Sequence, residues 1–95
     1  MKYIRSEQGF NLWKIYHDDA GTYEAAVVSF DKPSVYGINN GKISKLYIKR
    51  LDNNKTVCNY DRGFDFQPME EVKAFYNEII NKLNWGGKYN VHCKS

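Results

Sequence analysis

Residues 36–66, YGINNGKISKLYIKRLDNNKTVCNYDRGFDF, decide the fold. Within them, residues 42–51 alternate as a strand does. Ser44, Leu46 and Ile48 fall on one side, and Ile43, Lys45, Tyr47 and Lys49 on the other. Asn39-Asn40-Gly41 supplies a turn before that run and Asp52-Asn53-Asn54-Lys55 a hairpin connection after it. Residues 56–60, TVCNY, return as the partner strand, and the hairpin ends in a charged corner, Asp61-Arg62-Gly63.

Working outward toward the N-terminus, residues 10–17, FNLWKIYH, alternate as well. They set Phe10, Leu12 and Tyr16 against Trp13, Ile15 and His17. Asp18-Asp19-Ala20-Gly21 is a turn cluster, and residues 22–30, TYEAAVVSF, form a further strand with Ala26, Val28 and Phe30 on one face. Pro33 ends that strand, since it has no N–H to donate to a ladder. Short polar turns favour an antiparallel meander, because parallel pairing needs crossovers of about a dozen residues.

Beyond Phe66 the period changes. Pro68 suits a first helical position, and Glu70 and Glu71 suit the positive end of a helix dipole. Met69, Val72, Tyr76, Ile79, Ile80 and Leu83 follow helical spacing with Phe75 flanking them, and Gly86-Gly87 stops the helix after Trp85. The expected fold is α+β: a four-stranded antiparallel β-meander with one C-terminal amphipathic helix packed on one face. Leu46, Ile48, Val28 and Phe30 are expected beneath the helix. Residues 1–95 make a single small domain with its core in 10–84. The termini are left open between loose ends and short edge strands, Tyr3 and Ile4 being candidates to begin one.

Composition limits the function. The aromatic share is 16%, with eight Tyr and two Trp, and the net charge is only +3. Tyr and Trp suit half-buried sheets and binding surfaces. Mild basicity allows an anionic partner without demanding one. Cys58 and Cys93 are too few for a secreted disulfide scaffold, and two reduced thiols in a cytosol are expected in preference to one Cys58–Cys93 bridge. No segment approaches the ~20 apolar residues of a membrane span.

No catalytic or cofactor signature stands out. Asp18, Asp19, Glu24, Asp61 and Asp65 lie mostly at turns, where carboxylates cap backbone groups, so acid–base work is not expected of them. His17, Cys58, His92 and Cys93 lack the short paired spacing of zinc ligands. Trp13 and Trp85 are expected in the core; either one exposed would make an interface anchor. Surface chemistry is what remains. Lys45, Tyr47 and Lys49 share a strand face with the two ammonium groups about 13 Å apart, a spacing that suits two phosphates with a stacked base between them. Tyr60, Asp61 and Arg62 extend this face, the guanidinium being a planar fork for carboxylate or phosphate. A solvated outer face and an Arg62 held by Asp61 and Asp65 are the plainer alternatives.

Three blocks, Tyr36-Gly37-Ile38, Gly41-Lys42-Ile43-Ser44-Lys45-Leu46 and Asn59-Tyr60-Asp61-Arg62-Gly63-Phe64-Asp65, carry a resemblance to a group of small uncharacterised proteins. These come from phages and prophages of Gram-positive bacteria, and the likeness spans roughly residues 10–84. It implies a mobile-element origin and a non-enzymatic protein of the bacterial cytoplasm. Such a protein would bind and block a host defence protein or protein–nucleic-acid complex, such as a CRISPR effector. Direct nucleic-acid binding through the same face is the alternative, and the chain is expected as a monomer or as a homodimer paired through a strand edge.

Overall fold

Left-handed backbone at the polar turns folds the alternating runs back on one another. Gly21 (φ 74°), Asn54 (φ 59°) and Arg62 (φ 58°) each stand at a chain reversal, and Asn39 (φ 51°) and Asn40 (φ 60°) bend the longest connection. Asp18 caps its turn as expected, its Oδ1 accepting the Thr22 and Tyr23 amides at 2.8 and 2.9 Å. The computed structural model describes residues 1–85. The glycine pair 86–87, His92, Cys93 and a C-terminal edge strand lie outside the described residues.

Among the described residues six strands result, not four: β1 (Lys2–Gln8), β2 (Leu12–His17), β3 (Tyr23–Ser29), β4 (Ile43–Arg50), β5 (Thr56–Asp61) and β6 (Phe64–Phe66). They form one antiparallel sheet in the order β1-β2-β3-β4-β5-β6, so the meander is right and its extent is not. β1 has almost no buried face, which is why no apolar alternation marks it. β6 is short, and its pairing with β5 turns Asp61-Arg62-Gly63 from a terminal corner into a hairpin loop.

The helix α1 (Lys73–Ile79) is preceded by a 3-10 turn, Glu70–Val72, and followed by a π-helical segment, Ile80–Asn84. Pro68 therefore stands two residues before the first helical turn. Val72, Phe75, Ile79 and Ile80 are buried against the sheet, and Met69, Tyr76, Leu83 and Trp85 pack at the margin of the same cluster.

Beneath the helix lie Tyr16, Tyr23, Ala25, Val27, Leu46, Ile48, Cys58 and Tyr60. Leu46 and Ile48 are where the pattern puts them; Val28 and Phe30 are not. The middle of β3, Ala25 to Val28, is apolar on both faces, so alternation there cannot choose, and pairing does: Val27 stands opposite Leu46 and Ala25 opposite Ile48. Val28 lies on the other face beside Lys45, and Phe30 falls past the strand end, half exposed. A bulge at Ser44, between the pairs Val28–Lys45 and Ser29–Ile43, turns Ile43 into the core despite its odd position.

The helix is pinned at both ends. At its start, the Glu71 carboxylate accepts the Tyr23 hydroxyl at 2.6 Å and a hydrogen bond from Arg50, whose guanidinium also rests over the Tyr23 ring. Glu71 thus ties the helix sideways to β3 and β4, beyond any effect on the dipole. At its end, Asn84 is fully buried. Its Oδ1 accepts the Ile43 amide at 2.9 Å, its Nδ2 donates to the Ile38 carbonyl at 2.8 Å, and its own carbonyl accepts the Lys42 amide at 2.8 Å. Gly41 has no Cβ because one would overlap the Asn84 amide, and a Cβ on Gly37 would overlap the Gly41 carbonyl.

Two outcomes follow. Asn84→Ala is expected to lower the stability by about 2–4 kcal/mol, since it strands an interior N–H and C=O and leaves a cavity; the denaturant midpoint reads it. Burial also pushes the Cys58 thiol and the Tyr76 hydroxyl each up to about 12. In the unfolded chain these groups lose their protons nearer about 8.5 and 10. Their contribution is complete below the unfolded values and fades as pH climbs toward 12. Urea midpoints should therefore fall steadily above pH 9, and less steeply in a Cys58→Ala variant.

Candidate functional site

The sheet face away from the helix carries Lys45, Tyr47 and Lys49, as the alternation of β4 requires. It is not a free cationic stripe. Lys45 Nζ reaches Asp61 Oδ1 at 2.6 Å, directly across from it on β5. Lys49 Nζ lies 3.7 Å from Glu24 Oε1 across the pairing with β3, and the other Glu24 oxygen is 3.1 Å from His17 Nε2. Tyr47 leans on Trp13, with ring centroids 5.8 Å apart, across the small Ala26 between them. This face is a lattice of opposite charges placed in cross-strand register.

The concave feature lies at the end of this face where Lys45 stands. A cleft of about 370 Å³ opens between the β1–β2 turn, the β3–β4 loop and the β5–β6 turn. Phe10, Phe30 and Tyr36 are its exposed aromatic walls, Phe10 being completely exposed and the other two more than half so. Its floor runs along Gly37, Gly41 and Ser44, and its cations are Lys42, Lys45 and Arg62. The volume is in the range of small-ligand and side-chain pockets.

Each wall is held by backbone chemistry. The Arg62 amide donates to the Ser44 carbonyl at 3.0 Å, and the Asp61 amide to the Gly63 carbonyl at 2.9 Å, which locks the turn against the bulge in β4. The Arg62 guanidinium then rests over the Tyr36 ring, 5.8 Å from its centroid. Tyr36 is itself placed by the Tyr60 hydroxyl, which donates to its carbonyl at 2.8 Å, and by its amide donating to Ser34 Oγ at 2.9 Å.

The sequence-predicted residues therefore separate. Lys45 and Arg62 line the cleft. Tyr47 and Lys49 belong to a shallower hollow of about 280 Å³ with Glu24 and Thr56. Asp61 neutralises Lys45. Tyr60 is corrected from surface to core: it is buried against Phe64 and acts on the cleft only through Tyr36. Arg62 is not held by Asp61 or Asp65, and among the described residues neither it nor Lys42 has a carboxylate partner in an ion pair. Alternation alone places Phe10 and Phe30 on strand faces. What marks them as surface residues is their place beside Gly9 and Asp31, where pairing stops.

Among the described residues, no three His, Cys, Asp or Glu side chains gather as a metal ion would need, and no helix is long and apolar enough to cross a membrane. Cys58 is wholly buried with its thiol pushed up to about 12 by desolvation, which makes it a poor nucleophile at neutral pH.

Residues 13–84 match the family model described as domain of unknown function DUF7678, and the chain belongs to that family. The match begins in β2 and closes on Asn84, the residue that anchors the helix to the loop. It contains every cleft-lining residue except Phe10 and Asn11. No catalytic assignment comes with the family description. No curated protein and no solved structure matches the chain.

The Lys45–Asp61 pair is partly exposed on both sides. A double-mutant cycle with Lys45→Ala and Asp61→Ala is expected to give a coupling of about 0.2–1 kcal/mol that shrinks in high salt.

Proposed function

We propose that this protein is a non-enzymatic binding module whose working surface is the cleft between Phe10, Phe30, Tyr36 and Arg62. One observation carries the reading: the three sequence blocks quoted above, the third separated from the first two by a β-hairpin, converge there. Tyr36 and Gly37 come from the first, Gly41, Lys42, Ser44 and Lys45 from the second, and Arg62 from the third. Exposed aromatic rings beside an arginine are the composition of interface anchors, because they bury a large area and fix their own geometry at low entropic cost. The resemblance to small phage and prophage proteins gives the module its setting: a mobile-element inhibitor that docks on a host defence protein, such as a CRISPR effector, in the bacterial cytoplasm.

A second reading is favoured by the stack of Arg62 on Tyr36 next to Lys42. Single-stranded nucleic acid binds by placing bases on such platforms and phosphates on such cations. Salt separates the two, since direct binding to nucleic acid weakens steeply between about 50 and 200 mM.

Affinity capture in the natural host tests the main reading. The wild-type chain and Tyr47→Ala should retain the same defined host protein, and Phe10→Ala/Phe30→Ala should lose it. Retention of nothing specific, or retention indifferent to the two phenylalanines, would refute the cleft as the docking surface.

A further inference from the structure

Arg62 occupies a position that favours glycine. Its backbone is left-handed at φ 58°, a conformation that disfavours residues with a Cβ. The one bond the turn needs from it, amide to Ser44 carbonyl, would be made by any residue with an N–H. Its side chain supports no carboxylate of the fold among the described residues and lies over Tyr36 at the cleft wall. A charged side chain kept at backbone strain, with no ion-pair partner among the described residues beyond its contact with the Tyr36 ring, points to a ligand.

The chemistry of that ligand follows from what surrounds it. Phe10, Phe30 and Tyr36 offer apolar faces within a space of about 370 Å³, room for one aromatic or large aliphatic group. Two cations, Arg62 and Lys42, face the same space without ion-pair partners among the described residues. A nucleic-acid strand would call for a row of free cations along its phosphates. The lysines that would continue the row, Lys45 and Lys49, are engaged by Asp61 and Glu24. Two cations around one apolar seat fit a protein segment better.

We infer that the cleft seats an acidic peptide segment of a protein partner. One apolar or aromatic side chain of that segment enters among Phe10, Phe30 and Tyr36, and carboxylates flanking it pair with Arg62 and Lys42. This deepens the binding-module reading and rests on it. Arg62 is the natural specificity residue, because a guanidinium takes a carboxylate through two parallel hydrogen bonds.

Fluorescence anisotropy on the full chain tests this with three labelled probes. One is a short peptide with a tryptophan flanked on both sides by glutamates, the second has lysines in their place, and the third is an oligothymidylate. The acidic peptide should bind saturably and the other two should not. Arg62→Gly should weaken it about tenfold or more, while its melting temperature stays level or rises because the strained position is relieved. Equal binding of acidic and basic peptides, no binding of the acidic one, indifference to Arg62→Gly, or preference for oligothymidylate would each overturn the inference. Host-protein capture that depends on Phe10 and Phe30 would still stand in those cases, so the two readings fail separately.

Discussion

A single buried amide holds this fold to its shape. Asn84 sits at the end of a short helix and binds main-chain groups of Ile38, Lys42 and Ile43 through both side-chain heteroatoms and its own carbonyl. Those groups belong to the loop between β3 and β4 and to the first residue of β4, and the loop bends through left-handed residues at Asn39 and Asn40. In the interior each unpaired polar group would be costly, so Asn84, by pairing three of them, favours this path alongside backbone bonds such as Ser34 to Gly41. The absent Cβ of Gly41 follows from the same constraint, and the π-helical segment ends on Asn84. With Glu71 tied to Tyr23 and Arg50 at the other end, a helix of seven α-helical residues is fixed on the sheet without relying on helix propensity.

That clamp shapes the cleft. Gly37 and Gly41 pack backbone to backbone beneath it, and Tyr36 leaves the loop just before them to form one wall. Tyr60 reaches up from the core to hold the Tyr36 carbonyl, and the β5–β6 turn brings Arg62 onto the Tyr36 ring. The core and the proposed docking surface are thus layers of one construction. Core residues position the cleft, and exposed aromatics furnish it.

Electrostatics sorts four basic residues of this surface into two kinds. On the strands, cross-strand register pairs Lys45 with Asp61 and Lys49 with Glu24, which stabilises the sheet a little and cancels its field. At the loops, Lys42 and Arg62 have no such neighbour among the described residues. The net charge of +3 describes both kinds together and therefore says little about where an anion would settle.

Local chemistry was legible in the sequence: the polar turns, the two-residue alternation of β4, the helical stripe from Val72 to Ile80, and the side of the sheet that carries Lys45, Tyr47 and Lys49. These depend on neighbours a few places away, where spacing and backbone preference act directly. Tertiary structure decided the rest. β1 pairs without a buried face to announce it, the middle of β3 is apolar on both sides so its register chose between Val27 and Val28, and the bulge at Ser44 reversed Ile43. The partners of Lys45 and Lys49 lie across strands, and the cleft joins Phe10, Phe30, Tyr36 and Arg62 from three separate connections of the chain. Spacing along a chain carries no record of which distant residues will meet, because only closure of the whole sheet brings them together.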